Sequence, residues 1–310
     1  MKNKETYPKN IFVSLKDLLD LEHVARGFSF NAKKQKVKSI LGGKHASKLR
    51  GRGLDFEEVR NYVPGDDIRN IDWKVTARTK KTHTRVYSEE KEKPALILVD
   101  QSKSMFFGSQ LKTKSVVAAE FAAIAAFKIS KEGDRVGGVV MGDEGIDILK
   151  PKRSKKNIFR FFDKLVERNR ALGTSKKLNF ENSFKEVMQK VNNIVSHDYL
   201  IILISDYFRY SDQVIKSISR LGQHNDVIVV KVYDPMERSI PNTKLVASQE
   251  GQQIVIDGSN KELSNKFEEG FDEDYNAFEK TLQKHRIPLI KVDTVRPIEE
   301  QIKEIFKKTR

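Results

Sequence analysis

From Pro94 onward, short runs that are apolar at nearly every position alternate with longer stretches whose apolar residues recur every three or four positions. The short runs are ALILVD (95–100), DRVGGVVM (134–141), YLIILISD (199–206), DVIVVKVYD (226–234) and IPLIKVDT (287–294). A strand that is apolar on both faces belongs in a parallel sheet covered on both sides. The helical spacing falls on KTKSVVAAEFAAIAAFKIS (112–130), SKKNIFRFFDKLVERN (154–169), NFENSFKEVMQKVNNIV (179–195) and SDQVIKSISRLGQ (211–223). It returns in 260–286 and in 297–309, where Pro297 opens the closing helix. GIDILKP (145–151) reads as an edge strand, and KLVASQEGQQIVID (244–257) as a hairpin turning at Glu250-Gly251. The expectation is an α/β domain over residues 94–310 with a doubly wound, mostly parallel sheet.

Residues 1–93 follow another pattern. They hold a helix around SLKDLLDLEHVARGF (14–28), a basic arm, a turn-rich segment and the strand THTRVYSEE (82–90). They read as a smaller N-terminal unit, basic and turn-rich, appended to the α/β domain.

Charge sharpens that division. The chain carries a formal net charge of +15, and residues 1–54 hold 13 Lys and Arg against 4 Asp and Glu. Between His23 and Leu54 there is no acid at all. Such an arm is either a solvated surface or a docking site for an anionic partner; nucleic acid binding through residues 26–52 is therefore one candidate function. Hydrophobic residues make up 38% of the chain, enough for a real core, and there is no cysteine. Disulfides, thiolate catalysis and cysteine-bound metals are thereby excluded. The N-terminal MKNKETYPKNIF has no apolar segment of signal-peptide type, and VVAAEFAAIAAF (116–127) falls short of the ~20 apolar residues of a membrane span. A cytoplasmic protein without a membrane span is expected.

The chemistry concentrates where two of the aliphatic runs end. ALILVD ends in Asp100 and YLIILISD in Asp206, and Ser102 and Ser104 follow the first at alternate positions. In an open doubly wound sheet, ligands sit beyond the carboxyl ends of the strands at a topological switch point. If the two strands are neighbours, two carboxylates and two hydroxyls meet there. That hard-oxygen set suits Mg²⁺, with Mn²⁺ or Ca²⁺ as alternatives, and not zinc. The competing reading is that these residues cap the helices that follow. GSQLKTKS and LGGKHAS do not fit a phosphate-binding loop, and no histidine or G-x-S-x-G pattern supports a catalytic triad.

DQSKSM (100–105) resembles the D-x-S-x-S metal-ion-dependent adhesion site of von Willebrand factor A-type domains. The resemblance implies a threonine from a later loop, supplied by Thr174 in LGTSKK, and Asp206 as the aspartate after a later strand. A second resemblance runs through GRGLDFEEVRNYVPGDDIRNIDWKVTARTKKTHTRVYSEEKEKPALILVDQSKSM, which is similar to the signature of the bacterial domain-of-unknown-function family fifty-eight. It implies a von Willebrand A-like domain and, as partner, a MoxR-type AAA+ ATPase or its client. Within that signature, Arg60, Asp66, Asp67, Arg69, Asp72 and Arg78 surround Trp73, the sole tryptophan, and bidentate arginine–carboxylate pairs are expected to fix the segment against the α/β domain. Together these readings predict a non-enzymatic interaction module. It would hold Mg²⁺ on Asp100, Ser102, Ser104, Thr174 and Asp206 and bind a partner's acidic residue. Anionic-surface binding through the arm and a metal-dependent hydrolase are the alternatives.

Overall fold

The computed structural model describes residues 7–26, 46–47, 54–90, 93–174, 180–207, 211–249 and 252–307. The chain divides into two compact units, one of residues 1–42 with 94–310 and one of residues 43–93. The expected boundary at 93/94 is an edge of the smaller unit, while the first 42 residues cluster with the larger one.

Two short helices, α1 (Leu15–Asp20) and α2 (Glu22–Arg26), open the larger unit. Ser14 and Asp17 form a capping box that starts α1. Leu18, Leu21, Val24 and Ala25 are buried in the same apolar cluster as the alanine-rich helix described below. An alanine face offers little apolar area of its own, so a second amphipathic layer completes its burial. Most of the basic arm lies outside the described residues.

The smaller unit consists of β1 (Ala46–Ser47), β2 (Leu54–Asn61), α3 (Trp73–Thr79) and β3 (His83–Glu90), its strands forming an antiparallel sheet in the order β1-β3-β2. Pro64-Gly65 makes the expected turn: the Asp66 N–H donates to the Val63 carbonyl at 3.0 Å, and Gly65 has φ +104°.

The larger unit continues with β4 (Pro94–Gln101), α4 (Lys114–Lys131), β5 (Arg135–Gly142), β6 (Gly145–Lys152), α5 (Lys155–Ala171), α6 (Phe180–Asn192) and β7 (Leu200–Ser205). It closes with α7 (Asp212–Leu221), β8 (Asp226–Tyr233), the hairpin β9 (Lys244–Gln249) and β10 (Gln252–Asp257), α8 (Lys261–Lys284), β11 (Leu289–Asp293) and α9 (Ile298–Lys307). The six-stranded sheet runs β11-β8-β7-β4-β5-β6, parallel except for the antiparallel edge strand β6. Along β4, Ala95, Ile97 and Val99 belong to one core with α1, α2, α4, α5 and α9, whereas Leu96 and Leu98 belong to a second core with α6, α7 and α8. This is why the strand sequences are apolar throughout. The expected mixed α/β architecture with a central, mostly parallel sheet is present.

Chain order places the switch point. From β4 the chain adds β5 and β6 on one side, then β7, β8 and β11 on the other. The crevice at the carboxyl ends of β4 and β7 is therefore where the strand order reverses.

Two glycine substitutions test the packing. A Cβ at Gly138 of β5 would stand 2.1 Å from the Phe161 ring of α5, so Gly138→Ala is expected to cost about 1–3 kcal/mol in denaturant unfolding. Gly270 within α8 has nothing within 4 Å of such a Cβ, and Gly270→Ala is expected to stabilise by about 0.4–1 kcal/mol.

Candidate functional site

Strands β4 and β7 pair in parallel with Val99 opposite Ile204, so Asp100 and Ser205 emerge level with one another and Asp206 follows. Asp100 is fully buried and held from two sides. The Ser205 hydroxyl donates to its Oδ2 at 2.7 Å, and the Ser102 backbone N–H donates to its Oδ1 at 2.8 Å. The Ser102 and Ser104 hydroxyls lie 3.2 Å apart. Ser205 Oγ also accepts from the Tyr207 N–H at 3.2 Å. Tyr207 has φ +49°, a left-handed conformation that non-glycine residues rarely adopt, immediately after Asp206.

Asp206 is equally buried, and its partner is a residue the sequence reading passed over. Lys114, the first residue of α4 and 2% exposed, places Nζ 2.7 Å from Asp206 Oδ2 and also bonds the Glu237 carboxylate. Lys231 of β8 donates to the Asp206 carbonyl at 2.7 Å. Burial works against the Lys114 charge, but Asp206 and Glu237 more than reverse it and hold its pKa above the usual lysine value. Burial lowers the pKa of Lys231. Burial first, and the charge of Asp206 second, push the Asp100 carboxyl up to about 7, despite the hydrogen bonds from Ser205 and Ser102. The charge of Asp206 thus ties the two carboxylates into one electrostatic cluster.

Asp100, Ser102 and Asp206 thus meet at the strand ends, and Ser104 joins them through Ser102. Thr174 makes no hydrogen bond to them. It is exposed at the end of α5, and its hydroxyl donates to the Ala171 carbonyl at 3.1 Å rather than to any of the four. The turn after β4 is anchored elsewhere: the Lys103 N–H donates to Asp143 at 2.8 Å and its ammonium to the Leu172 carbonyl at 2.9 Å. Among the described residues, no group of three His, Cys, Asp or Glu side chains is placed to hold a metal. The oxygen set here has two carboxylates and two hydroxyls. This donor chemistry fits a hard dication that keeps several waters.

The same strand-end aspartate occurs twice more, with a different outcome. Asp234 after β8 accepts from the Thr294 hydroxyl at 2.5 Å and from the Ser109 and Met236 N–H groups at 2.7 and 2.9 Å. Burial alone would raise its pKa, but these bonds hold it below the usual carboxylate value. Asp293 at the end of β11 accepts from the Val295 and Arg296 N–H groups. Both act as loop caps. Asp206 differs in being matched by an ammonium from another element. Lys114, Ser205 and Glu237 were missed because their partners lie 92, 105 and 123 residues away in the chain. The one signal was a lysine in the first turn of a helix, where the macrodipole disfavours a cation.

A pH dependence follows from Asp100. Its folded pKa lies above the unfolded value of 3.8, so the native state binds the extra proton between those limits. In metal-free buffer, stability is therefore greatest below about pH 4 as far as this group is concerned and declines as pH rises towards 7. Asp100→Asn should flatten that part of the profile, measured by chemical denaturation in EDTA.

Residues 58–276 match the family DUF58, described as protein of unknown function DUF58. Uncharacterized proteins of Mycobacterium tuberculosis (Rv1480, strain ATCC 25618 / H37Rv) and Mycobacterium bovis (Mb1516) are 24% identical to this chain over 223 residues, covering 72% of it and 68% of their own length. A solved structure, that of an uncharacterized membrane spanning protein from Vibrio fischeri, covers 69% of this chain and 96% of its own at 12% identity and a TM-score of 0.17, too loose a match to inform the fold. No helix among the described residues is long and apolar enough to cross a membrane. The family match covers the signature segment from residue 58 onward together with Asp100 and Asp206, and the chain belongs to the DUF58 family.

Proposed function

We propose that this chain is a non-enzymatic, cytoplasmic interaction module of von Willebrand A-like type, built to engage an acidic group of a partner protein at the switch point between β4 and β7. The observation that carries this reading is the cluster of Asp100, Ser102, Ser104 and Asp206, convergent on one crevice and already compensated by a buried ammonium. Asp100 and Asp206 with the two serine hydroxyls would hold Mg²⁺, the partner's carboxylate completing its coordination. The resemblance adds Thr174 as a further ligand, whose hydroxyl is bonded to the Ala171 carbonyl. The resemblance stated above adds the partner class, a MoxR-type AAA+ ATPase or its client.

Lys114 gives the site a property that the adhesion-site pattern lacks. Asp206 already carries a cation, so a dication has to share or displace an ammonium seated 2.7 Å from one carboxylate oxygen. Affinity for Mg²⁺ alone is therefore weak, and a partner's carboxylate raises it, because the incoming negative charge offsets the crowding of cations. The metal-dependent hydrolase is the alternative reading, and it predicts a turnover that Asp100→Ala abolishes. Nucleic acid binding through residues 26–52 rests on a segment outside the described residues and gains no support here.

The test is a thermal-shift titration with MgCl₂ and MnCl₂ against EDTA. At a hundredfold excess over its Kd, a native-state ligand stabilises by about 2.7 kcal/mol, a rise of roughly 5–10 °C for a unit of this size. The wild-type chain should show such a shift and Asp100→Ala should not. Lys114→Gln, though less stable in EDTA, should show a larger shift at lower metal. A wild-type shift that survives in Asp100→Ala would overturn the site.

A further inference from the structure

We propose that the segment from Tyr62 to Lys81 in the smaller unit is a docking surface for an acidic segment of a partner protein that carries an apolar side chain. The sequence expectation set Arg60, Asp66, Asp67, Arg69, Asp72 and Arg78 around Trp73, their pairs fixing the segment against the α/β domain. Arg60, Arg69 and, from β3, Arg85 pair with Asp66, Asp67 and Asp72 within the smaller unit, Arg78 has no ion-pair partner among the described residues, and the Trp73 ring is exposed. Trp73 is 69% exposed, with Ile68 at 66% and Val63 at 53%. Tryptophan is highly buried on average, and an exposed one with aliphatic neighbours in its own segment is the composition of an interface anchor.

The ring sits on a platform that is fixed in advance. Trp73 is the first residue of α3. Its N-cap, Asp72, is buried and accepts from the Lys74 and Val75 N–H groups at 3.0 and 3.1 Å, and from Arg85 of β3 at 2.9 Å. Upstream, Arg60 pairs with Asp66 at 2.7 Å across the Pro64-Gly65 turn, and Arg69 pairs bidentately with Asp67. A side chain presented by a rigid frame loses little entropy on docking.

The charge around it names the partner. Residues 73–81 contain Lys74, Arg78, Lys80 and Lys81 and no acid. The side chains of these four are exposed and have no ion-pair partner among the described residues. Lys74 and Arg78 stand at i and i+4, a like-charge spacing that weakens an isolated helix. Lys80 ends α3 at φ +58°, where glycine or asparagine would be less strained. A helix this short that tolerates both features is better explained by what it meets than by its own stability. The surface therefore combines an aromatic anchor with a cationic rim, and its complement is an apolar side chain among carboxylates. Single-stranded nucleic acid is the less suitable occupant, since it favours several stacking aromatics over Val63 and Ile68. This inference does not depend on metal at the strand ends.

Trp73 is the sole tryptophan, so its fluorescence reports the surface directly in the full chain. Titration with a peptide alternating glutamate and leucine should shift its emission to the blue, and added salt should weaken the response. The double variant Lys74→Glu/Arg78→Glu should weaken peptide binding about tenfold, and Trp73→Ala should weaken binding of a dye-labelled peptide while leaving the melting temperature unchanged. Binding unaffected by charge reversal, no spectral shift at all, or tighter binding of an oligodeoxythymidine than of the peptide would each overturn the proposal.

Discussion

Two carboxylates sit side by side at the end of a parallel pair of strands, and the surrounding structure is arranged to make that tolerable. The register of β4 on β7 brings Asp100 level with Ser205, and the charge of Asp206, the next residue, reaches Asp100. In a buried site, like charges must be compensated by protons, hydrogen bonds or cations. All three are present. Asp100 receives two hydrogen bonds and is driven towards its protonated form; Asp206 is matched by the ammonium of Lys114.

That compensation explains features well beyond the site. The first residue of α4 is a buried cation, which the helix dipole opposes, and it is acceptable only because Asp206 and Glu237 both reach it. Glu237 is in turn held by the turn after β8, where it accepts from the Asp234 N–H at 3.1 Å. Asp234 binds Ser109 and Thr294. The ends of β4, β7, β8 and β11 are thereby joined by one polar network running across the sheet. Breaking a buried ion pair by removing one partner typically costs about 3–5 kcal/mol, so the network is stabilising only while complete.

The sheet was legible because its signal is local: apolar strands, helical spacing, and a short edge strand at GIDILKP, which the structure pairs antiparallel to β5. The meeting of Asp100 and Asp206 was conditional on their strands being neighbours, and β4 and β7 do pair. What was not legible is long-range. Lys114 lies in KTKS, weighed only as an unsuccessful phosphate loop, and nothing in its neighbours points to an aspartate 92 residues later. The helix at 15–26 was assigned to the smaller unit because a period reveals that a face is apolar, not which surface covers it. Thr174 was placed by resemblance, and its hydroxyl is turned to its own helix end.

The four strand-end aspartates show why a motif needs its surroundings before it has a function. On sequence, LVD, LISD, VYD and KVD are near equivalents. Asp234 and Asp293 are satisfied by N–H groups of the loops that follow them, with a hydroxyl from Thr294 and a guanidinium from Arg296 added, and have no further need of a cation from elsewhere. Asp206 is instead matched by a buried lysine of another element, a point charge that Glu237 also holds. What separates Asp206 from these two caps is its partner, an ammonium from another element, and not the acid itself.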